Sequence, residues 1–197
     1  MRFAIVVDMQ RDFVMADGAL PVPGADAIVA PVDAWLAGLR PDEVAGVLFT
    51  ADTHVPAVYA LSDEAKEFPP HCAVDTPGWA LMVDPGAVDP AIPCYRLEKS
   101  VFDMWAEPDL QLTRIGAEQT IDRDGFFASL RAEEIDAVEV VGVAADYCVR
   151  WAVEGLLARG FHVTVPAMLT RGIARPIDAV ALAEWPGRRV TIGTSPM

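Results

Sequence analysis

Cysteine, histidine and basic charge are all scarce in this chain. Three cysteines in 197 residues are an odd number and too few for a disulfide framework, so the thiols are expected to be free. No apolar run approaches the ~20 residues that span a bilayer, and Asp8 interrupts the one early apolar stretch. Neither a membrane helix nor a secretory leader is therefore expected. Lys and Arg number 15 against 29 Asp and Glu, a formal net charge of −14, which argues against nucleic acid or an anionic membrane as partner. Repeats, low-complexity tracts and linkers are missing too. What remains is 53% hydrophobic with a mean hydropathy of +0.29, which excludes disorder. The length suits one domain with a substantial core, expected to span 1–197 and to be cytoplasmic.

Strand and helix patterns alternate. Phe3 to Val7, Gly46 to Ala51, Tyr95 to Leu97, Ala137 to Val143, His162 to Pro166 and Arg189 to Ile192 read as strands. Ala25 to Leu39 carries Ile28, Val32, Trp35, Leu36 and Leu39 on one stripe and reads as a helix. Asp124 to Glu134, with Asp124 as N-cap, Trp151 to Arg159 closed by Gly160, and Ile177 to Glu184 read likewise. Asp103 to Thr120 reads as irregular. Val55 to Pro93, rich in Pro, Gly and Asp, reads as a long functional loop. The alternation implies an α/β fold, a three-layer α/β/α sandwich around a mainly parallel sheet.

Ligand sites in such folds lie beyond the carboxyl ends of the strands, and three chemical groups fall there. Gly142-Val143-Ala144-Ala145-Asp146-Tyr147-Cys148-Val149-Arg150 joins a strand to a helix. It puts Cys148 near a helix N-terminus, whose free N–H groups favour a thiolate and a developing oxyanion. Asp8 follows Phe3 to Val7, where a carboxylate can serve as general base. Lys99 follows Tyr95 to Leu97. Taken singly, each has a plainer use: a buried thiol, a turn cap and a solvated amine.

Together, Asp8 before Met9-Gln10-Arg11-Asp12-Phe13, Lys99 in Leu97-Glu98-Lys99-Ser100 and Cys148 in Gly-Val-Ala-x-Asp-x-Cys-Val resemble the Asp–Lys–Cys triad of the isochorismatase-like cysteine hydrolases. The resemblance runs from Phe3 to about Gly172. Some members of that superfamily hydrolyse amides and others do not.

A fourth motif narrows the reading. In Thr50-Ala51-Asp52-Thr53-His54, alternation puts Asp52 and His54 on one face. Glu64 and then Phe68-Pro69-Pro70-His71-Cys72 follow, and two of the chain's three histidines fall here. Asp, His, Glu and His suit Zn²⁺, Fe²⁺ or Mn²⁺. Asp52, His54 and the Pro-Pro-His histidine resemble the metal site of nicotinamidases and pyrazinamidases, which implies one divalent ion, with Zn²⁺ foremost. Many of those enzymes carry another histidine soon after Asp-x-His, and Val55 to Ala60 has none. A variant of the family uses a glutamate seven residues before the Pro-Pro-His histidine. Glu64 fits that spacing, with Asp63 and Glu67 as rivals.

The resemblance implies a mechanism and a partner, a small-molecule amide. Asp8 would take the Cys148 proton, Lys99 would hold Asp8 ionised, and Cys148 would attack the carboxamide of nicotinamide to give a thioester. It also implies an oxyanion hole from the Ala144 and Cys148 N–H groups, a cis peptide between Val143 and Ala144, and Phe13, Phe68 and Trp105 around the ring. It leaves a homo-oligomer open. The other readings are a superfamily amidase for maleamate or an N-carbamoyl compound, a non-catalytic interaction protein of the same fold, and a structural zinc protein using Cys72 and Cys94, whose spacing matches no standard zinc motif.

Overall fold

The computed structural model describes residues 1–194; residues 195–197, the end of the expected domain, lie outside the described residues. In chain order the strands are β1 (Arg2–Val7), β2 (Val44–Asp52), β3 (Cys94–Lys99), β4 (Gln111–Arg114), β5 (Thr120–Asp122), β6 (Ala137–Val143), β7 (His162–Pro166), β8 (Thr170–Arg171) and β9 (Val190–Gly193). The helices are α1 (Arg11–Val14), α2 (Val29–Ala37), α3 (Pro56–Tyr59), α4 (Arg123–Ala132), α5 (Cys148–Ala158) and α6 (Ile177–Glu184). The sheet order is β5-β4-β3-β2-β1-β6-β7-β9, with β8 paired to β6. Its pairs are parallel except β3–β4 and β4–β5.

Strand β1 shows why the sheet has two covered faces. Phe3, Ile5 and Val7 enter one apolar cluster, with Phe126 and Leu130 of α4, Val149 and Val153 of α5 and Val180 of α6. Ala4 and Val6 enter another, with Val32, Trp35 and Leu36 of α2. A strand buried on both faces belongs inside a parallel sheet. The sandwich expected from the alternating pattern is thus present. Among the described residues no helix is long and apolar enough to cross a membrane.

Four local expectations change. The stretch 103–120, expected to be irregular, holds β4, and β4 pairs antiparallel with β5. Only Leu112 of β4 is buried, so this edge hairpin carries almost no apolar signal, as edge strands often do not. The N-cap of α4 is Asp122, not Asp124: its carboxylate accepts the Gly125 N–H at 2.7 Å. Asp124 instead pairs with Arg123 and Arg159. The helix expected from Ala25 begins at Val29, after a 3₁₀ turn at Asp26–Ile28. The loop from 55 to 93 contains α3 and three one-turn 3₁₀ segments.

Trp105 packs into the body of the protein. Its ring meets Phe127 edge-on at 4.8 Å, its Nε1 donates to the Ala152 carbonyl at 3.3 Å, and the Arg159 guanidinium lies 3.8 Å over it. Gly155 of α5 makes room for it, since a Cβ there would lie 2.0 Å from Trp105 Nε1. Gly155→Ala should therefore overpack this contact and destabilise the fold by ~1–3 kcal/mol. Urea denaturation would register this as a lower midpoint with an unchanged slope, and an unchanged midpoint would contradict the packing.

Candidate active site and metal centre

Four strands deliver their last residues to one edge. Val7 pairs with Gly142 and Asp52 with Lys99, so Asp8, Asp52, Lys99 and the turn before Cys148 emerge side by side. Gly142 permits the closest of these approaches. Its φ is +111°, and a Cβ there would lie 2.1 Å from the Val7 carbonyl oxygen, so only glycine fits. The peptide between Val143 and Ala144 is cis, and Cys148 is the first residue of α5.

Asp8, Lys99 and Cys148 meet at this edge, all buried. Lys99 Nζ lies 2.8 Å from Asp8 Oδ2 and 3.7 Å from Cys148 Sγ, and it also donates to Asp52 Oδ1. Lys99 is held well above its ordinary range: burial opposes its charge, but Asp52 and Asp8 outweigh burial. Burial raises the Asp8 carboxyl, with Lys99 opposing and Asp52 adding to the rise. Asp52 is held low despite burial, chiefly by Lys99 and then by the neighbouring His71 ring. The Cys148 thiol is pushed well up by burial and by the two carboxylates, against the pull of Lys99. The helix N-terminus favours a thiolate, but burial outweighs it and favours the protonated thiol. The Ala144 and Cys148 N–H groups have no hydrogen-bond partner among the described residues, so both are free to donate.

Beside the triad, Asp52, His54, Glu64 and His71 form a second cluster, with one ligand atom from each within 4.8 Å of the others. His71 Nε2 is 3.1 Å from Glu64 Oε1 and 3.7 Å from Asp52 Oδ2; His54 Nε2 is 3.7 Å and 3.9 Å from the same two atoms. All four atoms are buried without a hydrogen-bond partner, a costly arrangement unless something joins them. Donors on one divalent ion at bond lengths of ~2.0–2.2 Å sit about 3.0–3.6 Å apart; one of these four separations lies in that range and the other three are slightly wider, so a small inward shift of the side chains would seat such an ion. Nδ1 of His71 lies 2.8 Å from the Pro69 carbonyl; donating there leaves Nε2 as the free lone pair, the usual support for a metal-bound histidine. Burial disfavours a charged His71, yet the nearby Asp52 and Glu64 carboxylates and the Pro69 carbonyl push it up to about 9, which marks the cluster as a place for positive charge. Burial lowers His54. Of the rivals to Glu64, Asp63 is exposed and paired with Lys66, and Glu67 is exposed; neither joins the cluster. Cys72 and Cys94 do not join it either.

A narrow apolar cleft ends at Cys148. It is lined by Phe13, Leu20, Val22, Phe68, Phe102, Ala144, Tyr147 and Ile173. Phe13 spans the two clusters, its ring 5.2 Å from that of His71. Phe68, Phe102 and Tyr147 meet edge-on at 5.3–5.7 Å. Phe13 and Phe68, expected around a ring from the family resemblance, both line the cleft. Trp105 does not: it is held against α5, and Phe102 stands at the cleft instead.

Sequence reasoning passed over several residues that shape the site. The Gln10 carboxamide accepts the Asp52 N–H at 2.7 Å and donates to the Asp52 carbonyl at 2.8 Å, pairing with that residue as a strand would. The Thr50 hydroxyl contacts Asp8. The Tyr59 hydroxyl lies 3.1 Å from both the Phe68 and Pro69 carbonyls, which share its one proton. Asp146 accepts the N–H groups of Ile173, Ala174 and Arg175 and so fixes Ile173 at the cleft. One signal was available for Asp146, a carboxylate two residues before the cysteine of the strand-to-helix turn.

Comparison with known proteins agrees with this geometry. The model of the Isochorismatase domain matches residues 3–183. The chain is 30% identical over 189 residues to a nicotinamidase/pyrazinamidase of Mycobacterium tuberculosis, covering 93% of this chain and 94% of that one. Its structure resembles that of a pyrazinamidase of Pyrococcus horikoshii solved in complex with zinc, at a TM-score of 0.72 and 28% identity over 97% of both chains. It also shares its fold with an N-carbamoylsarcosine amidase of Thermoplasma acidophilum, at a TM-score of 0.70 and 23% identity over 100% of this chain and 99% of that one. The chain belongs to the isochorismatase domain family, as an amidohydrolase similar to nicotinamidases and pyrazinamidases.

Proposed function

We propose that this amidohydrolase converts nicotinamide to nicotinate and ammonia through a thioester on Cys148. The observation that carries the reading is Asp52. One of its oxygens receives Lys99, and the other faces three orphaned donors, so a triad and a cation site share one carboxylate beside an aromatic cleft. Asp52, His54, Glu64 and His71 would hold the ion, Zn²⁺ by the similarity to the zinc-bound pyrazinamidase. A bound divalent ion supplies a Lewis-acidic point that can hold a ring nitrogen and orient the carboxamide.

The chain's own groups then account for the chemistry. Asp8, raised by burial, takes the thiol proton as Sγ attacks the carbonyl carbon. Lys99 stays protonated and balances the two carboxylates. The Ala144 and Cys148 N–H groups stabilise the oxyanion. Asp8 returns the proton to the departing ammonia, and water then cleaves the thioester. Phe13 and Phe68 bind the ring by apolar contact. Among the described residues the cleft lining includes no Lys or Arg, so the carboxylate of maleamate or of an N-carbamoyl amino acid would leave water without a partner. That weighs against the related amidases. The convergence of a thiol, a base and two free N–H groups weighs against a non-catalytic protein.

Three outcomes test this reading. Cys148→Ala should abolish ammonia release with the fold intact by circular dichroism, while Cys72→Ala and Cys94→Ala remain active; near-normal rates in Cys148→Ala would remove the nucleophile. Purified protein should hold about one divalent ion per chain, and Glu64→Ala should lose it more readily than Asp63→Ala or Glu67→Ala in metal analysis after dialysis. The reverse order would move the ligand. Nicotinamide should exceed benzamide in kcat/KM by roughly two orders of magnitude, because benzamide has the shape but no ring nitrogen. Equal values would separate the ion from recognition, and a preference for maleamate would favour the other amidase reading.

A further inference from the structure

Thr50 is fully buried on β2, one residue past the last β1–β2 pairing, Val6 with Phe49. At that point β1 ends and Asp8 turns away with φ +49°, in the left-handed region although it is not glycine. The Thr50 hydroxyl grips the turned residue at two points. It accepts the Asp8 N–H at 3.3 Å and donates to Asp8 Oδ1 at 2.6 Å, a short, charge-assisted bond. Oδ1 is thereby occupied. Oδ2 lies 2.8 Å from Lys99 Nζ but has no donor aligned on it, so it retains a lone pair for another proton.

We propose that Thr50 is a positioning residue: its hydroxyl fixes the rotation of the Asp8 carboxylate so that Oδ2 stays open to the Cys148 thiol. The inference rests on the reading of Asp8 as the base for Cys148. A carboxylate turns freely about its last bond unless one oxygen is held, and Lys99, shared with Asp52, does not hold it alone. A threonine suits the task better than a serine because its β-branched side chain has few rotamers in a strand. Thr50 touches no reacting atom; it acts through Asp8.

The test compares Thr50→Val, which keeps the shape and loses the hydroxyl, with Thr50→Ser, which keeps the hydroxyl. Two readouts are taken: steady-state turnover of nicotinamide, and the rate at which iodoacetamide alkylates Cys148, followed on its own peptide by mass spectrometry. Because a base displaced by ~1 Å costs about 10²-fold in rate, Thr50→Val should lower kcat by roughly 10–100-fold with KM within about two-fold of wild type, and Thr50→Ser should recover to within about three-fold. Alkylation should slow in Thr50→Val and recover in Thr50→Ser. Thr50→Ala replaces Thr50→Val if the valine variant does not fold. Wild-type rates in a folded hydroxyl-free variant, or a Thr50→Ser as slow as Thr50→Val, would overturn the proposal. If wild type turns over no nicotinamide yet alkylation follows the predicted order, the substrate reading falls and the role of Thr50 stands.

Discussion

One buried ammonium organises this protein's chemistry. Lys99 Nζ is within ion-pair reach of both Asp8 and Asp52, on the ends of three neighbouring strands, with essentially no water around any of the three. Three charges in such a place are stable only as a set, since removing one strands the others. The sheet register brings them together, and each charge shifts its neighbours. Asp52 stays ionised because Lys99 is there, and an ionised Asp52 is what makes the adjoining cluster a cation site. Asp8 is raised by burial and only partly relieved by the shared lysine, which suits a base that must accept a proton and give it back.

The same burial governs the proposed nucleophile. With its thiol pushed upward, Cys148 is not a standing thiolate, and reactivity depends on a base placed against it. That arrangement protects a free thiol from adventitious oxidation, which follows thiolate character and exposure. The aromatic cleft keeps the approach to Sγ apolar, so that on the proposed mechanism charge developing on a substrate oxygen would meet directed N–H groups in place of bulk water.

Much of this was legible in the sequence because chemistry in parallel sheets collects at strand ends. Asp8, Asp52 and Cys148 each follow an apolar run, and Lys99 follows a short strand-like segment. His54 and His71 are conspicuous because histidine is scarce. The structure adds that Glu64, and neither of its acidic neighbours, turns inward. Trp105 was misplaced because an aromatic residue near a site in sequence carries no sign of which way it faces, and the glycine that receives it lies 50 residues away. The β4–β5 hairpin was hidden by its polarity. Thr50 and Gln10 each act on a partner 42 residues away, and a contact across two strands leaves no trace in either strand's own pattern.

The account stands or falls on covalent chemistry at Cys148. The direct measurement is mass spectrometry of the enzyme quenched in acid during turnover of nicotinamide, with the modified peptide located. The account predicts a nicotinoyl group on the peptide bearing Cys148, formed in the presence of substrate and lost when substrate is exhausted. Steady ammonia release with Cys148 unmodified, or a nicotinoyl group carried by any other side chain, would contradict it.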